Sequence, residues 1–369
     1  MERIGDASFM DQKEKQRCYN YQNRQDLFGN IGILGTGSAL PEMVLSNDDL
    51  AEIMDTSDEW IQTRTGIGQR HIATKETTVT LAVKAAKRAM EMAGITGDEI
   101  DLIIATTVTP DYRFPSVSCL VQREIRAAGV PCFDLSAACS GFIYAVSTAY
   151  KFLQTGMYRH VLVVSAETLS RLVDWSDRST AVLFGDGAGA VVLGPKQGSG
   201  LLVEELGADG AGAQLIVSSD LNSRDGRYLS RMKVEEMEPD DPRQMLAEIE
   251  KNATPYMTMD GREVYKFTTT TVVQSIRRVL ESAGLESADV SKFILHQANS
   301  RIIDAVAKRM KVPMEKFPMS IHDNANTSSS TVPILLDNLV RAGAMQSGER
   351  FILSGFGAGL TWASALLSW

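Results

Sequence analysis

The feature that most constrains this chain is that its second half repeats the first in order. Ala288-Asp-Val-Ser-Lys-Phe-Ile-Leu-His296 resembles Gly97-Asp-Glu-Ile-Asp-Leu-Ile-Ile-Ala105, an acidic turn feeding an apolar strand. Asn326-Thr-Ser-Ser-Ser, a helix over 332–340, Gly343 and a strand over 350–353 then follow the order of Cys139-Ser-Gly, a helix, Gly156 and a strand over 161–164. The closing Gly355-Phe-Gly-Ala-Gly-Leu answers Phe184-Gly-Asp-Gly-Ala-Gly. Alternating buried strands and helices make α/β layers, and the repeat makes two related halves. We read a flexible extension over 1–28, an N-terminal half over 29–199 and a C-terminal half over 200–369. The extension is polar and irregular and lacks the apolar stretch of a secretory signal.

One stretch carries the chemistry. Val130 to Leu135 reads as the end of a buried strand and Ile143 to Leu153 as an apolar helix. Between them lie the small residues Ser136, Ala137, Ala138, Cys139, Ser140 and Gly141. A sharp strand-to-helix turn of this kind presents one side chain with little bulk around it. A thiol there meets the positive end of the helix dipole, which favours the thiolate. The competing reading is a buried structural cysteine. His296 ends an apolar strand, where α/β sites are built, and Asn326 opens the next helix. Taken singly, His296 reads equally as a structural histidine and Asn326 as an ordinary N-cap. A Cys, a His and an Asn at strand and helix ends of a duplicated chain point jointly to one shared cleft.

Other signals are weaker. Ile31-Gly-Ile-Leu-Gly-Thr-Gly-Ser38 is a strand running into a glycine-rich turn, but it fits neither phosphate-loop pattern. Asn47 reads as the cap of a helix over 48–54, and Ala181 to Leu193 as a strand broken by a glycine turn. Trp60 and Arg64 stand four apart, neighbours on one helix face. They form either a nucleotide-stacking pair or a surface Trp beside a solvated Arg. The net charge of −9 argues against bulk nucleic-acid binding. No apolar run reaches membrane-spanning length. The four cysteines, Cys18, Cys119, Cys132 and Cys139, show neither metal-ligand spacing nor a disulfide framework, so we expect no metal and a reducing cytoplasm.

From about Ile31 to Trp369 the chain resembles β-ketoacyl-acyl-carrier-protein synthase III, the initiating condensing enzyme of bacterial fatty-acid synthesis, a thiolase-fold family. The resemblance is carried by Asp55-Thr-Ser-Asp-Glu-Trp-Ile-Gln-Thr-Arg-Thr-Gly-Ile, Ala137-Ala-Cys-Ser-Gly-Phe, Phe184-Gly-Asp-Gly-Ala-Gly-Ala, His296-Gln-Ala-Asn-Ser-Arg-Ile, Asn326-Thr-Ser and Gly355-Phe-Gly-Ala-Gly-Leu-Thr-Trp. It implies a decarboxylative Claisen condensation of acyl-CoA with malonyl-acyl-carrier-protein through an acyl-Cys139 intermediate. His296 and Asn326 match the pair that steadies the malonyl enolate. The backbone N–H groups of Cys139 and Ala358 match the oxyanion hole.

The resemblance also assigns the surroundings. Trp60 and Arg178 match the pair that sandwiches the CoA adenine, with Arg64 and Thr56 beside it. Leu169, Phe184, Met257 and Met259 match the acyl pocket, and Phe356 the ring beside the malonyl group. Phe114 matches a residue closing the partner's pocket, so a homodimer is implied. Arg301, Lys308, Arg309 and Lys266 make a basic patch for the acidic carrier protein, their alternative being a solvated helix face. CoA thioester is a substrate, and no resident cofactor is implied. The chain departs from the pattern at Ala325, where the family usually has Gly, in an acidic insertion over 235–252, and in its N-terminal extension. A thiolase would need a second Cys within 355–360, and an elongating synthase a second His in place of Asn326. The remaining rival is a specialised relative that primes a polyketide or transfers acyl groups. A non-catalytic carrier-binding subunit would lack the nucleophile.

Overall fold

The computed structural model describes residues 18–20, 30–218 and 256–369. Chain order runs β1 (Cys18–Asn20), β2 (Ile31–Ala39), β3 (Met43–Ser46), α1 (Asp58–Thr65), β4 (Gln69–Ile72), α2 (Thr78–Ala93), β5 (Leu102–Thr106), α3 (Val117–Glu124), β6 (Cys132–Leu135), α4 (Gly141–Gln154), β7 (Val161–Thr168) and β8 (Asp186–Pro195). The second half continues with β9 (Gly200–Ala208), β10 (Ile216–Val217), β11 (Thr258–Met259), α5 (Gly261–Ala283), β12 (Lys292–Leu295), α6 (Ser300–Met310), α7 (Thr331–Arg341), β13 (Arg350–Gly357) and β14 (Thr361–Ser368).

The repeat is visible in the sheets. One has the order β2-β8-β7-β5-β6 and the other β1-β9-β14-β13-β12. In each, two antiparallel pairings are followed by a parallel one: β2–β8, β8–β7 and β7–β5 against β9–β14, β14–β13 and β13–β12. β1 is an addition: it pairs with the outer edge of β9, Tyr19 opposite Glu204. Residues 18–20, read from sequence as part of a flexible extension, are therefore a strand of the second sheet.

Between the sheets lie α4 and α7. Phe142, Ile143 and Val146 of α4 and Val332, Leu335 and Leu336 of α7 share one core with Leu102, Val161 and Val163 of one sheet and Ile294, Phe351 and Leu353 of the other. Burying each such side chain is worth about 1.5–3 kcal/mol, and this shared core fuses the halves. The outer face of the first sheet is covered by α2 and α3 and that of the second by α5 and α6, giving five layers, αβαβα.

Local chemistry corrects several boundaries. Ser46, not Asn47, caps the helix Asn47–Ala51, through a capping box with Asp49. Asn47 is buried and donates instead to the Asp58 carboxylate at 2.8 Å and the Ile67 carbonyl at 2.7 Å. The glycines of β2 serve packing, not phosphate: a Cβ on Gly37 would lie 2.3 Å from the Ala85 carbonyl of α2. Over 181–193, a short helix Arg178–Ala181 precedes one continuous strand, β8. The acidic insertion over 235–252 lies outside the described residues.

Candidate active site

β6 ends at Leu135, and a 3-10 turn, Ala138–Ser140, leads into α4. Ala138 takes a positive φ of 46°, which turns the chain sharply at the cysteine. β13 runs directly behind the turn. A Cβ on Gly357 would lie 2.7 Å from the Cys139 nitrogen, so only glycine leaves room there. The Ser140 hydroxyl donates to the Ala137 carbonyl at 2.7 Å and lies 2.8 Å from Thr361 Oγ1, pinning the turn to β14.

In the second half, β12 ends at Leu295 and places His296 beside Phe356 of β13, ring centroids 5.0 Å apart and edge to face. His296 Nδ1 is 2.7 Å from the Thr331 hydroxyl at the start of α7. Asn326 is not the start of that helix. It bridges to Phe184, donating its backbone N–H to the Leu183 carbonyl at 3.0 Å and accepting from Gly185 at 3.0 Å. A 3-10 turn over Ser328–Ser330 intervenes before α7. Ser329, two residues before its helix, is therefore the positional counterpart of Cys139. The Asn326 Oδ1 accepts from the Ser328 N–H at 2.8 Å, which orients the amide and leaves Nδ2 as its donor for a ligand.

These residues line one cavity of about 860 Å³. Its wall includes Cys139, His296, Asn326, Phe356 and Ala358 together with the apolar side chains of Leu169, Phe184, Met257 and Met259. Met259 is placed by the β10–β11 pair, opposite Ile216. Phe114 is not in its own cavity: it is 86% exposed, projecting from the loop before α3.

Burial sets the electrostatics. The Cys139 thiol is pushed up to about 12 by desolvation, relieved by the Ser328 hydroxyl 3.4 Å away and aggravated by the charge of Glu167. The resting nucleophile is thus a thiol, and the thiolate expected from the helix dipole is overruled by burial. Burial also lowers His296 to about 3, so its imidazole is neutral.

Two guanidiniums lie over the ring of Trp60 in α1, Arg64 at 4.5 Å and Arg178 at 4.6 Å from its centroid. The face assigned to adenine is thus covered by Arg178, which must swing aside for a base to enter. The buried Thr56 Oγ1 close by in sequence has no hydrogen-bond partner among the described residues. In the basic patch, Arg301, Lys308 and Lys266 are exposed, Lys266 pairing with Glu263 at 3.6 Å. Arg309 is exposed too, with its guanidinium donating to the Thr269 carbonyl of α5. Sequence reasoning missed Glu167, Ser328 and Thr331. Their signals were an acid near the end of a mostly apolar strand and a run of hydroxyls after Asn326.

Two duplicated halves meeting at a half-buried Cys, a neutral His and an Asn define a condensing enzyme of the thiolase fold. The family models for 3-oxoacyl-[acyl-carrier-protein] synthase III match residues 133–210, and those for its C-terminal part residues 280–369. The β-ketoacyl-[acyl-carrier-protein] synthase III 1 of Bacillus anthracis is 46% identical over 343 residues, 92% of this chain and 99% of that one. The crystal structure of the synthase III from Aquifex aeolicus superposes with a TM-score of 0.82 at 42% identity, covering 92% of this chain and 100% of that one. The priming β-ketosynthase of the R1128 polyketide pathway gives a TM-score of 0.81 at 38% identity, covering 92% and 96%. The chain belongs to the β-ketoacyl-acyl-carrier-protein synthase III family. It is an acyl-transferring condensing enzyme that joins acyl-CoA to malonyl-acyl-carrier-protein to start fatty-acid synthesis.

Proposed function

We propose that the condensation runs by a ping-pong route through a thioester on Cys139. The observation that carries this is the single cavity holding Cys139, His296 and Asn326 together with apolar side chains. Acyl-CoA enters, its acyl carbon bonds to Sγ, and CoA leaves. The acyl oxyanion is received by the N–H groups of Cys139 and Ala358. Malonyl-acyl-carrier-protein then binds, and carbon dioxide departs to leave an enolate. A neutral His296 and the Asn326 Nδ2 act on the enolate oxygen as donors without an acidic proton to quench the carbanion; removing one such donor typically costs ~100- to 1,000-fold in rate. The enolate carbon attacks the thioester and Cys139 is released.

The surroundings fill matching roles. Leu169, Phe184, Met257 and Met259 hold the primer chain, and Phe356 fixes the His296 ring. Trp60 and Arg178 open to take the adenine, Arg64 stays beside the base, and the unpartnered Thr56 hydroxyl bonds its edge. Arg301, Lys308 and Lys266 face the carrier protein. The exposed Phe114 enters the pocket of a second copy, making the working unit a homodimer, in a cytoplasmic setting and with no resident cofactor. Among the described residues no helix is long and apolar enough to cross a membrane.

The test is intact-protein mass after incubation with a panel of acyl-CoAs, then malonyl-acyl-carrier-protein. An adduct on Cys139 that leaves as β-ketoacyl product is expected, and Cys139→Ala should take none. Condensation by that variant would overturn the assignment. The similarity to a priming ketosynthase favours a second reading, a polyketide primer role, which the preferred acyl-CoA and acceptor would reveal.

A further inference from the structure

The family reading leaves a buried acid beside the nucleophile's turn without a task. Glu167 is the penultimate residue of β7 and wholly buried. Its Oε2 accepts from the Val108 N–H at 3.0 Å, the Thr109 hydroxyl at 2.7 Å and the Thr107 hydroxyl at 3.2 Å; Oε1 accepts from Ser329 at 2.7 Å. Four donors hold a carboxylate in place, although burial raises its proton affinity.

Ser328 stands between this acid and the nucleophile. The Cys139 thiol donates to the Ser328 hydroxyl oxygen at 3.4 Å, and the same hydroxyl interacts with the Glu167 carboxyl. The Ser328 backbone is held at a φ of +52°, a left-handed conformation uncommon for a non-glycine residue. The Asn326 side chain fixes it there by accepting the Ser328 N–H at 2.8 Å. Strain of this kind persists where the surroundings over-determine it. Here it brings a hydroxyl under the thiol.

We propose that Glu167, acting through the Ser328 hydroxyl, is the proton acceptor for Cys139 during acyl loading and stores that proton until condensation is complete. As Sγ bonds to the acyl carbon, its proton passes to Ser328 Oγ and the hydroxyl proton of Ser328 passes to Glu167. The carbon–sulfur bond to CoA breaks, and the CoA thiolate takes a proton from water outside the cavity. When the malonyl-derived carbon attacks the thioester, Sγ leaves as thiolate. Glu167 returns its proton through Ser328, restoring the thiol and the carboxylate. Protons balance over the cycle: one is stored and returned, and the one consumed by decarboxylation enters from water with the departing CoA. The store also keeps Glu167 neutral while the malonyl carboxylate and the enolate occupy the cavity, sparing them a buried like charge.

The groups facing Glu167 are consistent with a dedicated pair. From the loop after β5 these are Thr107, Val108 and Thr109, and from the turn before α7 Ser328 and Ser329, none of which titrates in the working range. Cys139 is the titratable group that its charge acts on. Arg171 touches the same loop, 3.4 Å from the Thr109 carbonyl, and pairs with Asp111 at 2.8 Å.

The relay rests on the acyl-Cys139 reading, and one experiment separates the two. Rapid-quench intact mass measures acyl transfer from acyl-CoA to wild type, Ser328→Ala and Glu167→Gln between pH 6 and 9. Wild type should load with a rate that levels off once Glu167 is ionised. Both variants should load ~100-fold more slowly at pH 7. Their rates should climb about tenfold per pH unit, because direct loss of the thiol proton to solvent then limits them. If Glu167→Gln does not fold, Ser328→Ala alone decides. A variant that loads at the wild-type rate overturns the relay, as does a loss equal at every pH, which a merely structural role would give. A wild type that takes no acyl group overturns the acyl-Cys139 reading and the relay with it.

Discussion

Gly357 of β13 lies against the backbone of Cys139 so closely that a methyl group there would sit 2.7 Å from the Cys139 nitrogen and 3.0 Å from its Cβ. The two residues belong to different halves of the duplicated fold. The position of the nucleophile is therefore set by the fit between the halves as well as by its own turn.

Gly357→Ala should move Cys139 off line without removing any reacting group. Acyl loading is expected to fall by ~100-fold, the loss that small misplacements of a reacting atom produce. Overpacking adds about 1–3 kcal/mol of destabilisation. Acylation kinetics with urea denaturation of the same variant measure both. Near wild-type loading would show that the contact does not position the thiol.

The raised Cys139 thiol makes a second prediction. In Ser328→Ala, where no relay assists, alkylation by iodoacetamide should be slow at pH 7 and climb about tenfold per pH unit through pH 9 without levelling off, since only the thiolate reacts. Mass spectrometry of the 139 peptide follows it. A plateau near pH 7 would mean that the helix end, not burial, governs this thiol.

His296 links stability to pH. Its folded proton affinity is depressed to about 3, against ~6.5 for an unfolded histidine. As pH falls below ~6.5 the unfolded chain gains a proton that the folded chain refuses, so stability drops by up to ~1.4 kcal/mol per unit from this residue and stops falling near the folded value. Above ~6.5 the contribution is constant. Denaturation midpoints at pH 6.5 and 5.5 should therefore fall further for wild type than for His296→Asn. Equal falls would place a protonated His296 in the folded cavity.

Ala325 carries φ 54° and ψ −159°, a conformation that suits glycine. Its strain of about 1–3 kcal/mol outweighs the ~0.8 kcal/mol that burying its methyl returns. Ala325→Gly should raise stability by about 1 kcal/mol and keep Asn326 in place. A lower melting temperature would refute it.

The fold was largely legible because its period is coarse. The order strand, helix, glycine, strand recurs in both halves, and the resulting layers follow from burying the apolar faces of α4 and α7. The nucleophile was legible because small residues flank Cys139 over several positions. Its charge state was not: sequence shows the helix end behind Cys139 but not the desolvation of its thiol within the folded cavity wall. Asn326 was placed at a helix start because Asn is a good cap, whereas its backbone is claimed by Leu183 and Gly185, a pairing between residues distant in sequence. Glu167 and Ser328 left only faint signals for the same reason, since each becomes informative only when the other half is folded against it. The Trp60–Arg64 neighbours were readable from helix spacing, but the second guanidinium, Arg178, comes from another segment.

β1 gives the second sheet a border. Without residues 18–20, the outer edge of β9 would present a ladder of unpaired N–H and C=O groups, a template on which strands of other molecules add. Three residues from the N-terminal extension occupy that template opposite Val203, Glu204 and Glu205. A chain cut back to Ile31 would keep its cavity and its catalytic groups, yet offer an open edge to its neighbours. The extension thus bears on how the protein behaves in a crowd of its own copies, a property separate from the reaction it carries out.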